Sequence, residues 1–390
     1  MDEREMLYSL SFFKRYLPEV RLFYAIKSNP HPLVVKFFQQ QGLSFDVASG
    51  QEADLVLANG TTGKDTIFTN PIKNSYSLEQ IFSKKIAAYT FDNGNELEKI
   101  AAFRKAHGCE HNPLALLRIR LESEGVQINL NHKFGCSLKD APLLIKKAAD
   151  LGLNPGGIAF HVGTQSLMAK NYAMGIQNSI AIAKTVREQY GINLSVIDVG
   201  GGFPDPFFAE QEGISLHKLF AEIGHYCQQA IEAGFTLYAE PGRVLVSAAG
   251  TLIASVIGIN QRRDRQWVYL DDGIYGCYSG RIFDHKRYQF LPLQRNGKTF
   301  SQELVPCVVA GPTCDSIDII DESALLPKDI AMGDLLCSVN MGAYSWATAC
   351  NFNGFAPAQT LLVRRHCKML AKQIAIVGLE QEQMELSLVA

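Results

Sequence analysis

A chain of 390 residues, 47% apolar and 19% charged, is long enough for two domains or for one large barrel with an appendage. Its net charge of −2 and the lack of any charge run give no sign of a nucleic-acid surface, and no uninterrupted apolar stretch approaches the length of a membrane helix. The acidic opening MDEREMLYSL lacks the basic-then-apolar layout of a signal peptide. Nine scattered cysteines without a CxxC pair argue against zinc and against a disulfide framework, so a reducing cytoplasm is the expected setting.

The opening MLYSLSFFKRYL reads as a helix. After it, short apolar runs alternate with helical stretches over about the first 245 residues, the pattern of βα units. The runs are RLFYAIK, LSFDVAS, DTIFTN, AAYTFDN, LALLRIRL, GIAFHVG, LSVIDVGGGF and TLYAEPGR. Helices are predicted over 32–41, 51–59, 95–107, 138–151, 170–190 and 216–233, with Ala141, Leu144, Ile145 and Ala148 at helical spacing in one of them. Eight such units predict a closed parallel (β/α)8 barrel over residues 1–244. Periodicity alone leaves an open doubly wound sheet as the alternative. From residue 245 the texture changes to TLIASVIGI, QWVYLDDG, LVPCVVAG and DLLCSVNMG, which predicts an all-β sheet or barrel domain over 245–390.

In a closed barrel every strand ends at the same mouth, where catalytic groups belong. Those ends carry Lys27, Asp46, Asn70, Asp92, Arg118, His161, Gly200–Gly202 and Glu240. A lone lysine closing the apolar run FYAI would be a solvated strand end, and a lone histidine in FHVGTQS a core residue. Polar residues at all eight ends point instead to a site. DVGGGFP places Gly200, Gly201 and Gly202 where backbone N–H groups can face an anion, and EPGR adds a second turn with Gly242 and Arg243. The run lacks the spacing of a dinucleotide site and the lysine of a P-loop, and by itself reads equally well as a tight turn. An amine, two anion-binding turns and the carboxylate of Glu240 together point to pyridoxal 5′-phosphate, with Glu240 keeping the pyridine nitrogen protonated and His161 flat against the ring.

The stretches FYAIKSNP, FDVASGQE, LLRIRL, HKFG, FHVGTQS, DVGGGFP, EPGR, GPTCDSID and GAYSWATACNFNGF occur in the order seen in fold-type III, alanine-racemase-like decarboxylases. Within that group the chain resembles ornithine/lysine decarboxylases, from about residue 5 to about residue 357. The resemblance implies that Lys27 is the Schiff-base lysine and that Thr164, Gly200–Gly202, Gly242, Arg243 and Tyr344 bind the phosphate, with Asp46, Glu52 and Arg118 supporting the site. It also implies a homodimer with shared active sites. Cys314, which by itself reads as a small buried hydrophobe, would then act with Asp315 in the partner's site, and Lys133 and Asp318 would form a cross-subunit ion pair. A thiol is a competent acid for returning a proton to Cα after carbon dioxide leaves. Asp315 and Asp284, with Tyr344, would meet the distal end of the substrate.

The expected activity is decarboxylation of a basic amino acid, ornithine to putrescine and/or lysine to cadaverine, in polyamine biosynthesis. A diaminopimelate or carboxynorspermidine decarboxylase is the nearest alternative, and the former typically shows glutamate after the cysteine, where this chain has Asp315. An amino-acid racemase would present a tyrosine from its second domain. A non-catalytic regulatory homologue of ornithine decarboxylase would tend to lose the lysine, the cysteine or the phosphate turns, all of which are kept here. Two departures from the family pattern stand out. The chain begins almost at the first barrel helix, where relatives usually carry a strand ahead of it. The segment after FNGF matches no family stretch and is expected to be a terminal strand followed by a loosely held end.

Overall fold

Eight short strands pair in chain order, each parallel to the next: Arg21–Ala25 (β1), Ser44–Val47 (β2), Thr66–Phe68 (β3), Ala88–Phe91 (β4), Leu114–Arg118 (β5), Asn154–Ala159 (β6), Val196–Asp198 (β7) and Thr236–Ala239 (β8). In the computed structural model, which describes all residues except 129, 131, 263–264, 294–298 and 364–390, β8 returns to β1 through Arg21↔Tyr238 and Leu22↔Ala239. Closure rules out the open sheet. A layer of side chains from seven strands fills the interior, among them Phe23, Ile67, Leu116, Val196 and Tyr238, so the barrel is a packed core.

Helices surround it: Glu3–Tyr16 (α1), Pro32–Gln40 (α2), Gly50–Ala58 (α3), Ser75–Ser83 (α4), Gly94–Ala106 (α5), Ala141–Asp150 (α6), Ala169–Tyr190 (α7), Pro206–Gln211 (α8), Leu216–Glu232 (α9) and the single turn Arg243–Val246 (α10). Their starts are written locally. Ser49, Asn74, Asn93 and Asp205 each accept a hydrogen bond from a backbone N–H three residues on, and Pro32 and Pro206 occupy first-turn positions. Sequence periodicity missed α4 because its buried face includes Ser77 and Gln80 beside Leu78, Ile81 and Phe82, which blurs the apolar stripe. The predicted helix 138–151 starts three residues late because Ser137 and Asp140 form a side-chain-bonded turn ahead of Ala141.

The chain divides into two units, Glu5–Val246 and a second that begins at Ser247 and includes Met1–Arg4. The second unit is built on Leu252–Arg262 (β9), Arg265–Leu270 (β10), Leu291–Leu293 (β11), Leu304–Ala310 (β12), Ile319–Pro327 (β13) and Leu335–Ser338 (β14), with one short helix, Gly280–Phe283 (α11). The strands form one six-stranded sheet in the order β11-β14-β9-β10-β12-β13, antiparallel except where β10 meets β12. Val268, Leu270, Tyr278, Val309, Leu326 and Leu336 are among the residues of its core. At the chain start Asp2 bridges to Val363 in parallel, and the Met1 ammonium donates to the Leu361 carbonyl at 2.9 Å. The expected loosely held end lies mostly in 364–390, outside the described residues.

Candidate active site

Lys27 follows β1 in a single 3-10 turn, and its Nζ donates to Asp46 Oδ2 at 2.6 Å. Asp46 sits on β2 with its side chain wholly buried, and its other oxygen accepts the Thr69 hydroxyl just past β3. Glu52, in the first turn of α3, accepts the Ala48 N–H at 2.6 Å. Burial pushes the Glu52 carboxyl above its ordinary range, against the pull of that hydrogen bond, and the charge of Asp46 adds to the rise. Arg118 ends β5 with its guanidinium 5.4 Å from the centre of the Phe134 ring and no acidic partner among the described residues.

His161 lies two residues past β6. Its Nδ1 accepts the Gly163 N–H at 3.0 Å, which places the ring proton on Nε2. Burial, and then the positive charges of Arg118 and Lys27, hold the imidazole well below its usual pKa, so it is neutral at physiological pH. Glu240 directly follows β8 and is raised well above the carboxylate range, first by burial and then by the charges of Asp198 and Asp46.

The three glycines after β7 form a cradle that tolerates no side chain. A Cβ on Gly200 would lie 2.1 Å from the Phe160 carbonyl oxygen, and one on Gly202 would lie 2.3 Å from that of Gly163; both take positive φ, +67° and +90°. The Gly200 N–H is taken by Asp198 Oδ1 at 2.9 Å. Those of Gly201, Gly202 and Gly242 donate to nothing among the described residues, and neither does the Thr164 hydroxyl. Gly242 packs against Ser28, the residue after Lys27, with a virtual Cβ 3.1 Å from the Ser28 Cβ. Unengaged donors near one amine, with Arg243 adjoining Gly242, suit an anionic group attached to a ring that meets Lys27, His161 and Glu240. The residues present therefore fit pyridoxal phosphate.

Two other strand-end residues serve as supports. Asn70 Nδ2 donates to the Ala48 carbonyl at 3.3 Å, and Asp92 accepts the Gly135 N–H at 2.9 Å. Between them the buried Lys73 donates to the carbonyls of Pro71 and Thr90 at 2.9 and 2.6 Å and contacts Glu96 at 3.4 Å. Sequence reasoning passed over Lys73, Thr69 and Asp198. Asp198 had a readable signal, an aspartate two residues before a glycine that can accept its N–H. Lys73 and Thr69 had none.

The remaining candidates belong to the second unit. Cys314 is exposed in the loop between β12 and β13, its N–H bound to Asn353 Oδ1 at 3.0 Å. Next to it, Asp315 accepts the Tyr275 hydroxyl and the Ile317 N–H, and the Tyr275 bond holds its carboxyl below the usual range. The Tyr275 ring in turn stacks on Phe352 at 4.3 Å. Asp284 caps the end of α11, half-buried. Tyr344 takes φ of +50°, a conformation that a bulky residue rarely adopts outside functional segments. Asp318, the residue expected to pair with Lys133 across subunits, is held by its own loop. Asp318 is 2% exposed, and its carboxylate accepts the N–H groups of Ile274 and Thr313 and the Thr313 hydroxyl, at 2.9, 3.1 and 2.7 Å. These three bonds leave acceptor capacity on the carboxylate, and the Lys133 ammonium lies over the Phe134 ring.

A closed barrel with this mouth, in a chain that carries a separate β domain, is the architecture of a pyridoxal-phosphate enzyme. Residues 4–247 match the family model described as pyridoxal-dependent decarboxylase, pyridoxal binding domain, and the chain belongs to that family. It is 34% identical over 357 residues to the lysine/ornithine decarboxylase of Selenomonas ruminantium, covering 90% of this chain and 85% of that one. It is 31% identical to antizyme inhibitor 2 of Xenopus laevis, with 95% and 82% covered. The crystal structure of the lysine/ornithine decarboxylase from Vibrio vulnificus complexed with cadaverine superposes with a TM-score of 0.80 at 35% identity, covering 93% of each chain. Among the described residues no helix is long and apolar enough to cross a membrane, and no cluster of side chains could hold a metal ion.

Proposed function

We propose that the protein removes the α-carboxylate of a basic amino acid, converting ornithine to putrescine and/or lysine to cadaverine, as a cytoplasmic homodimer with shared active sites. The bound pyridoxal phosphate supplies the electron sink for the pair released as carbon dioxide departs. Lys27 holds the cofactor covalently and is oriented by Asp46. His161 lies against the ring, and being neutral it leaves the ring's charge to Glu240, which holds a proton at the pyridine nitrogen. Thr164, Gly200–Gly202, Gly242, Arg243 and Tyr344 bind the phosphate, and Arg118 supplies a cation beside the ring site. By the family resemblance, Cys314 and Asp315 serve the partner's site, where the thiol returns a proton to Cα. Asp315 and Asp284, with Tyr344, take the distal ammonium.

The observation that carries the diamino substrate is Asp315, a carboxylate kept ionised by Tyr275 directly beside the exposed Cys314 thiol. A distal carboxylate, as in diaminopimelate, would meet repulsion there. A non-catalytic role, such as the relative named antizyme inhibitor suggests, fits poorly with a chain that keeps Lys27, Cys314 and both phosphate turns. Purified protein supplied with pyridoxal phosphate and a panel of amino acids tests the reading through released carbon dioxide. Release from ornithine or lysine is expected. Release only from diaminopimelate, or from none, would overturn it.

A further inference from the structure

Asp198 and Glu240 end adjacent strands, β7 and β8, and Gly200 ties them together. Its N–H goes to Asp198 Oδ1 at 2.9 Å, and its carbonyl accepts the Glu240 N–H at 2.8 Å. Asp198 is wholly buried, and its second oxygen, Oδ2, has no donor among the described residues. A buried carboxylate oxygen without a donor is costly, and a second ionised carboxylate alongside raises the cost further. We propose that Asp198 and Glu240 hold a single proton between them before the cofactor binds, with Asp198 the positioning residue that keeps this proton on Glu240 for delivery to the ring nitrogen.

One proton answers both difficulties. It gives the pair the missing donor and reduces two buried negative charges to one. The proton rests on Glu240 because only Asp198 has a backbone N–H, that of Gly200, stabilising its ionised form. The other charged groups that act on the pair are Asp46 and Lys27, which reach both carboxyls, and Arg118, which reaches Glu240. The strong rise of the Glu240 carboxyl, from burial and then from the Asp198 charge, agrees with this placement. On binding, Glu240 passes its proton to the ring nitrogen and becomes the carboxylate that pairs with it, so no proton is drawn from water at that atom. The same Asp198 carboxylate fixes the glycine turn, coupling the phosphate cradle to the far end of the ring. The delivery step rests on the reading of Glu240 given above; the shared proton does not.

Infrared difference spectra of the cofactor-free protein at neutral pH separate the two. Wild type minus Glu240→Gln should contain the carbonyl stretch of a protonated carboxylic acid, shifted down in deuterium oxide. Asp198→Asn keeps an acceptor for the Gly200 N–H, removes the neighbouring charge and offers Glu240 an amide donor, so the band should vanish in that variant. Asp198→Ser, which also keeps an acceptor, serves if the asparagine variant does not fold. A band that survives loss of the Asp198 charge would mean that burial alone protonates Glu240 and would overturn the proposal, as would its absence from wild type. Adding pyridoxal phosphate to wild type should abolish the band. Persistence after loading would refute delivery, and with it the Glu240 role, while leaving the shared proton intact.

Discussion

The Lys27 ammonium stands 2.6 Å from Asp46 Oδ2 across the first two barrel strands, with the carboxylate wholly buried and the lysine side chain 38% exposed. The buried partner is fixed by Thr69 and by β2, and it holds an amine that still reaches open space. An aldehyde entering the mouth therefore meets a positioned amine, which becomes nucleophilic once its extra proton has left for the Asp46 carboxylate or water. We expect the loaded protein to absorb in the visible and borohydride to fix the cofactor on the peptide that contains Lys27. Label recovered on another lysine, such as the buried Lys73, would contradict this assignment.

Shared sites make a prediction that no single-chain site makes. Lys27→Ala and Cys314→Ala should each be inactive as homodimers. Mixed under conditions of subunit exchange, they should recover roughly a quarter of wild-type activity, because random pairing gives half heterodimers with one intact site of two. Proven exchange without recovery would place both residues in the site of one chain.

Substrate choice should depend on Asp315. Asp315→Asn removes the charge but keeps an acceptor for the Tyr275 hydroxyl, so the loop should keep its shape. The KM for ornithine or lysine should rise about tenfold or more, the scale of a lost charge contact, with a smaller change for norvaline or norleucine. Equal effects on charged and uncharged substrates would remove Asp315 from the distal pocket.

Lys73 gives a pH dependence with a defined sign. Burial drives its pKa down from 10.5 to about 8 despite the neighbouring Glu96. Between those values the unfolded chain binds more protons than the folded one, so this residue's contribution to stability rises with pH and levels off above the unfolded pKa. Relative to Lys73→Met, the wild type should gain up to about 3 kcal/mol over that range in urea denaturation. A gap that stays constant with pH would mean that Lys73 remains charged in the folded protein.

The order of strands, the change to a β domain and the residues at the strand ends could all be read from the chain, because each is written in local pattern: apolar runs of strand length, glycines after DV, a lysine after FYAI. Local pattern also carried most helices to within a residue or two, and failed at α4, whose polar buried face makes sense only against the neighbouring helices. Closure of the barrel needed the pairing of β8 with β1, a contact between residues more than two hundred positions apart that no periodicity encodes. The protonation states needed the fold as well. Nothing in FHVGTQS says that His161 is neutral, and nothing in DVGGGFP says that Asp198 lies beside Glu240. Both follow from burial and from charges brought close by distant segments, because desolvation and Coulomb interactions depend on distance in space. The sequence by itself determined which groups this protein brings to its site; only the tertiary structure decided their charges and the neighbours that hold each of them in place.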